Sequence, residues 1–186
     1  AAMLELSKGG LKPAEIEAGG LKAAMNLAAT EGLDLADAST TIVNAMSQFG
    51  ISAKNAAGIT DKLAAGATAS TASVASLSAG LGNVGVSAKQ AGLTLTETVA
   101  ALSAFDQAGI KGAEGGTALR SMLLHLVPTT DKTAKLMDKM GLSFVKRNGE
   151  IMNLSEITAE LQKGLGGLSE AQRIATTKQI FGTYAF

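Results

Sequence analysis

The side chains in this 186-residue chain that could do chemistry are few and scattered. His125 is the single histidine, set in Leu123-Leu124-His125-Leu126 near a predicted helix end, and the chain has no cysteine. Disulfides and thiolate metal sites are therefore excluded, and no carboxylate stands at ligand spacing from His125. This histidine reads as a partly buried or helix-end side chain, favoured by the negative end of the helix dipole. The carboxylates are Glu15 with Glu17, Asp34 with Asp37, Glu97, Glu114, and Glu156 with Glu160. Two of them at glycosidase separation would supply an acid and a base or nucleophile. A peptidoglycan hydrolase would have to draw on Glu97, Glu114 and His125. Several of the acids instead fall in predicted first turns, where they complement the dipole. The sequence predicts no enzyme, and no catalytic, cofactor-binding or metal-binding residue.

Two stretches mimic known devices. Gly80-Leu81-Gly82-Asn83-Val84-Gly85 has the spacing of a dinucleotide fingerprint, with Asp106 some way downstream. That motif needs a buried strand running into it. The upstream Ser73-Val74-Ala75-Ser76-Leu77-Ser78-Ala79 lacks a parallel strand's branched apolar residues, and no βαβ alternation follows. The glycines are expected to mark a helix break or a close-packing site. Leu63 to Ala88 is a stretch of 26 residues without a charge, long enough to cross a bilayer. Its Ser, Thr, Gly and Asn content makes it too polar for a conventional span, so a pair of buried helices is the favoured reading. A membrane-active segment, helping to open a path for DNA across a host envelope, is the alternative.

The most unusual run is Gly109-Ile110-Lys111-Gly112-Ala113-Glu114-Gly115-Gly116-Thr117-Ala118-Leu119-Arg120. On a helix, Gly112 and Gly116 stand one turn apart and open a smooth groove for another backbone. Gly109, Gly112, Gly116, Thr117 and Arg120 are thus candidates for either of two roles. They could pack against a neighbouring helix of the same chain, or form a contact surface for an identical subunit.

The elements that carry these residues are short helices. A Gly–aliphatic–polar unit recurs at Gly32-Leu33-Asp34, Gly50-Ile51-Ser52, Gly85-Val86-Ser87 and Gly92-Leu93-Thr94, and more loosely at Gly109-Ile110-Lys111. Gly ends one helix in the left-handed conformation, the aliphatic residue packs back on it, and the polar residue caps the next. Apolar stripes agree: Leu35, Ala38, Ile42, Ala45 and Phe49; Leu95, Val99, Leu102 and Phe105; Leu119, Met122, Leu123 and Leu126; Leu154, Ile157, Leu161, Leu165 and Leu168. Pro13 suits a first turn and predicts a helix running to about Ala29. In the segment 144–152, Asn148-Gly149 between short apolar-polar runs predicts a hairpin, with Arg147 and Glu150 paired across it. The expected fold is all-α, a compact bundle of about eight or nine short helices with one small β-hairpin near 144–152.

Composition fits a module that binds without a long-range field. Sixteen basic and sixteen acidic residues cancel, which argues against nucleic acid as the main partner. Apolar residues make up 46% but aromatics only 3%, so helices must approach closely over Ala and Gly. Ala1-Ala2-Met3-Leu4 has no basic stretch and no long apolar run, so these residues do not read as a signal peptide. The start at Ala1 and the unpunctuated run from Phe181 to Phe186 suggest one module, 1–186, belonging to a longer polypeptide.

At the glycine-rich run the sequence resembles the phage tail tape-measure family. Residues Gly109 to Leu123, reading GIKGAEGGTALRSML, carry the most specific likeness. GLDLADASTTIVNAMSQFG, GLTLTETVAALSAFDQAGI, VKRNGEIMNLSEITAELQKGL and LSEAQRIATTKQIFGTYA follow the family's order, with Gly115 where alanine is more usual. The resemblance implies a structural virion protein in the lumen of a phage tail, present in the bacterial cytoplasm during assembly, encoded by a phage or a prophage. It implies a role in setting tail length and release during genome ejection. Implied partners are copies of itself, tail-tube protein, assembly chaperones and tail-tip proteins. A ruler needs long uninterrupted helix at about 1.5 Å per residue. A segment halted by Gly every few turns is expected to be a compact head, not the rod.

Overall fold

The computed structural model describes residues 2–182 and is all-helical, with ten helices longer than a single turn among them. After α1 (Ala2–Lys8), Pro13 opens one turn, Pro13–Glu15, that widens into a π-type turn over Ile16–Gly20. The continuous helix expected from Pro13 to about Ala29 is therefore broken: Gly19 sits at φ 155°, outside helical backbone, and α2 starts afresh at Leu21–Glu31. Then follow α3 (Leu35–Phe49), a 3-10 turn (Ala53–Asn55), α4 (Ala57–Thr68), α5 (Val74–Gln90), α6 (Leu95–Gln107), α7 (Gly112–Leu124), α8 (Asp131–Met140), α9 (Leu154–Leu165) and α10 (Glu170–Phe181).

Four of the five predicted glycine turns form. Gly32, Gly50, Gly92 and Gly109 take φ of 65°, 67°, 80° and 91°. The caps that follow two of them also form: Asp34 accepts from the Ala36 N–H at 2.7 Å, and Thr94 with Glu97 makes a reciprocal capping box. Gly85-Val86-Ser87 does not end a helix. It lies inside α5, where Gly85 is buried and its missing side chain makes room for Gln48 of α3. Close approach explains this glycine; left-handed backbone does not.

The hairpin is also corrected. Among the described residues no strand forms in 144–152. One antiparallel bridge, Val145 with Ile151, is all that remains, closed by Gly149 at φ 86°. Two turn-flanking residues per side cannot sustain a ladder in water. Arg147 and Glu150 do not pair: Glu150 accepts from Asn148 Nδ2 at 2.8 Å, and Lys146 reaches Glu156 at 2.8 Å. At the far end α10 does stop, at Gly182 with φ 78°; Thr183 to Phe186 lie outside the described residues.

The centre of the fold is α5, ringed by α3, α4, α6 and α7. Its Leu77, Leu81, Val84 and Ala88 are buried against Ile42 and Ala45 of α3, Leu63 of α4, Val99 and Leu102 of α6, and Leu119 of α7 within one apolar cluster. The uncharged stretch 63–88 is thus the end of α4, a Ser/Thr turn and most of α5. No described helix is long and apolar enough to cross a membrane. The α8–α10 segment joins the same cluster through Met137, Phe144, Ile157, Ile180 and Phe181, with the Phe144 and Phe181 rings 5.9 Å apart.

Candidate functional site

The glycine-rich run forms the first turns of α7, and those turns lie against α5. A Cβ placed on Gly116 would stand 2.8 Å from Gly80 Cα and overlap the Gly80 carbonyl oxygen. A Cβ on Gly80 would meet Gly112 O at 3.0 Å and Leu102 Cδ2 at 2.8 Å. At Gly116 the approach to main chain is closer than a side chain tolerates, and at Gly80 it is tighter than nearly all real contacts, so the crossing depends on bare backbone on both helices. The groove of Gly112 and Gly116 is therefore filled, and its occupant is the Gly80 segment of the same chain. The fingerprint-like Gly80-Leu81-Gly82-Asn83-Val84-Gly85 is helical throughout, with no strand before it.

Polar groups clamp the two ends of this crossing. Asn83 Nδ2 donates to Ala113 O at 2.9 Å and to Thr117 Oγ1 at 3.2 Å. At the other end Ser76 Oγ accepts from the Gly112 N–H at 2.9 Å and donates to Asp106 Oδ2 at 2.7 Å. Thr71 Oγ1 donates to Asp106 Oδ1 at 3.2 Å. Asp106, only 3% exposed, thus joins the α4–α5 turn, α5, the end of α6 and, through Ser76, the start of α7. In the sequence Asp106 stands out only as the acid downstream of the fingerprint-like glycines; the fold makes it a buried acceptor instead. The signal was there, because Val99, Leu102 and Asp106 fall on one helical face and the first two were placed in the core.

The remaining candidates are dispersed. Gly109 is a left-handed turn residue, φ 91°, with open space around it. Thr117 and Arg120 are exposed and, with Ser121, Leu124 and His125, line a shallow 250 Å³ pocket. His125 ends α7, its Nδ1 2.7 Å from Ser121 O. Glu114 is an exposed first-turn residue of α7. Glu97 lines a different pocket, beneath the 145–153 segment. Its carboxyl is held below the usual carboxylate range by the Thr94 amide and hydroxyl, with a further contribution from the Leu154 amide. Glu156 is lowered likewise, first by Lys146 and then by the Asn153 amide. Both acids therefore act as caps and as ionised partners, a structural use. Among the described residues no group of three or more His, Cys, Asp or Glu side chains could hold a metal ion.

An all-helical bundle whose most specific feature is a bare-backbone helix crossing defines a packing module. The comparison with known families agrees with the likeness carried by that same run: the model of the phage-related minor tail proteins matches residues 1–182, and the chain belongs to this family of structural tail proteins. It is similar to the tape measure protein of Pneumococcus phage Dp-1, 30% identical over 158 residues. That match covers 85% of this chain but 14% of the relative, so the chain spans about a seventh of the relative's length. No solved structure matches the chain.

Proposed function

We propose that residues 1–186 are one compact helical module of a longer tape-measure protein, acting in tail assembly as a folded head beside the extended ruler. The observation that carries this reading is the punctuation of the helices. The longest, α5, has 17 residues and spans about 25 Å at 1.5 Å per residue. Left-handed glycines or capped turns close the helices around it, and the chain folds back into one core. A segment built this way adds little length to a tail per residue. The module is placed in the tail lumen of the virion, and in the bacterial cytoplasm during assembly. Tail-tube protein, assembly chaperones and tail-tip proteins are its partners, and it is released as the genome leaves.

Contact between copies is part of the proposal, on a narrower surface than the sequence suggested. Gly112 and Gly116 are covered by α5, so Thr117 and Arg120 beside the exposed Leu124 form the self-contact face. Two sets of in-frame deletions of equal size in the parent gene test the whole reading. Those in predicted coiled-coil sequence outside the module should shorten tails in proportion, whereas those within it should abolish or misregulate assembly. Proportional shortening from both sets overturns it.

A further inference from the structure

We infer that the end of the bundle where α3 and α5 stop and α4 and α6 begin is a docking cleft for an acidic, partly aliphatic polypeptide segment of another protein. Two Gly–aliphatic–polar turns, Gly50-Ile51-Ser52 and Gly92-Leu93-Thr94, lie side by side there and line a cleft of about 900 Å³. Three lysines from three different elements converge on it: Lys54 from the 3-10 turn, Lys62 from α4 and Lys89 from the last turn of α5. No carboxylate lines it. The ion pairs among the described residues are Lys8–Glu5, Lys146–Glu156 and Lys163–Glu160, so none of the three lysines is neutralised by one. Lys62 reaches only the Gly58 carbonyl, at 3.3 Å. Two acids lie near the cleft in sequence: Asp61, beside Lys62 on α4, is exposed and outside the lining, and Glu97 is engaged by the Thr94 amide and hydroxyl at 2.9 and 2.7 Å. The start of α4 at Ala57 has no side-chain cap and lines the same cleft.

Lys54 and Lys89 are exposed and Lys62 is half-buried, so their ammonium groups are open to a negatively charged partner at the cleft. The walls decide what that is. Beside the lysines they mix aliphatic and small residues with Ser52, Asn55, Thr94 and Thr96, and they include no arginine; the one aromatic, Phe49, is buried. Nucleic acid needs many phosphate contacts and stacking surfaces, and this chain offers it no steering field. An acidic peptide needs a few cations and an apolar floor. Charge complementarity therefore favours Asp/Glu side chains on the lysines and aliphatic side chains over the paired turns.

The test uses the 186-residue chain and three fluorescein-labelled probes at low salt: a peptide alternating Glu and Leu, the same peptide with Gln for Glu, and a single-stranded oligonucleotide of equal charge. The expected result is saturable binding of the acidic peptide, about tenfold or more weaker binding of the Gln peptide and of the oligonucleotide, and loss of binding as salt rises. The triple variant Lys54→Glu, Lys62→Glu, Lys89→Glu should weaken peptide binding by at least about tenfold, while the triple Arg variant retains it. Circular dichroism checks that both variants keep the fold, and a Glu variant that unfolds is replaced by single changes at the exposed Lys54 and Lys89. Absence of peptide binding, equal binding by folded Glu variants, or tighter binding of the oligonucleotide overturns the inference.

Discussion

Gly116 of α7 lies directly on the backbone of Gly80 of α5, so closely that a methyl group on Gly116 would sit 2.8 Å from Gly80 Cα. Neither partner can yield, because the obstacle is main chain. Gly116→Ala should therefore destabilise the module by about 1–3 kcal/mol through overpacking, despite alanine's higher helix propensity. Gly82→Ala, two residues along α5 in open space, should instead stabilise it by about 0.5–1 kcal/mol. Urea unfolding of the two variants gives opposite shifts in midpoint if the crossing is as described.

Asp106 makes a second prediction. Its buried carboxylate accepts from Ser76 and Thr71, and Ser76 accepts in turn from the Gly112 amide. Asp106→Ala leaves the half-buried Ser76 hydroxyl without its acceptor, while the exposed Thr71 hydroxyl can turn to water, so the change should cost about 1–2 kcal/mol. Ser76→Ala should remove much of the same energy, so the double variant should be less destabilised than the sum of the two. Additive effects would show that the residues do not act as a network.

The acid limb of the stability profile follows from Glu97 and Glu156. Both carboxyls are lowered from 4.5 in the folded chain by the hydrogen bonds and the lysine they engage. Their contribution is thus complete above the ordinary carboxylate range and is lost as pH falls through the lowered folded values. Stability should drop below about pH 4.5. Glu97→Gln, which keeps a capping-box side chain, should make that drop shallower, and chemical denaturation at stepped pH measures it.

At the turn of 144–152, Gly149 holds φ 86° while the pairing around it is one bridge. Gly149→Val should cost about 1–2 kcal/mol for forcing a branched residue into left-handed backbone. Hydrogen exchange should show the loss as faster exchange at the Lys146 and Met152 amides, which donate to Glu150 and Phe144.

How much of this was legible in the sequence depended on what each glycine does. Gly32, Gly50 and Gly92 were readable because an aliphatic residue and a capping or polar residue follow each. Gly85 carries the same local signature, yet it sits mid-helix to admit Gln48, a reason that lies on another element. Gly112 and Gly116 were recognisable as a groove, but only the fold shows that Gly80 fills it. The Asn148-Gly149 signal correctly placed a turn and overstated its strands, since two short arms have too few pairs to hold a ladder. Asp106 hid in plain helical spacing behind Val99 and Leu102, and the lysine cleft is assembled from three elements that no local pattern connects.

Small-angle scattering from the isolated chain tests most directly whether glycine punctuation folds this segment back on itself. A compact 186-residue chain should give a radius of gyration of about 16 Å. If residues 32 to 110 ran as one continuous rod at 1.5 Å per residue, the value would be roughly twice that, and the head reading would be contradicted.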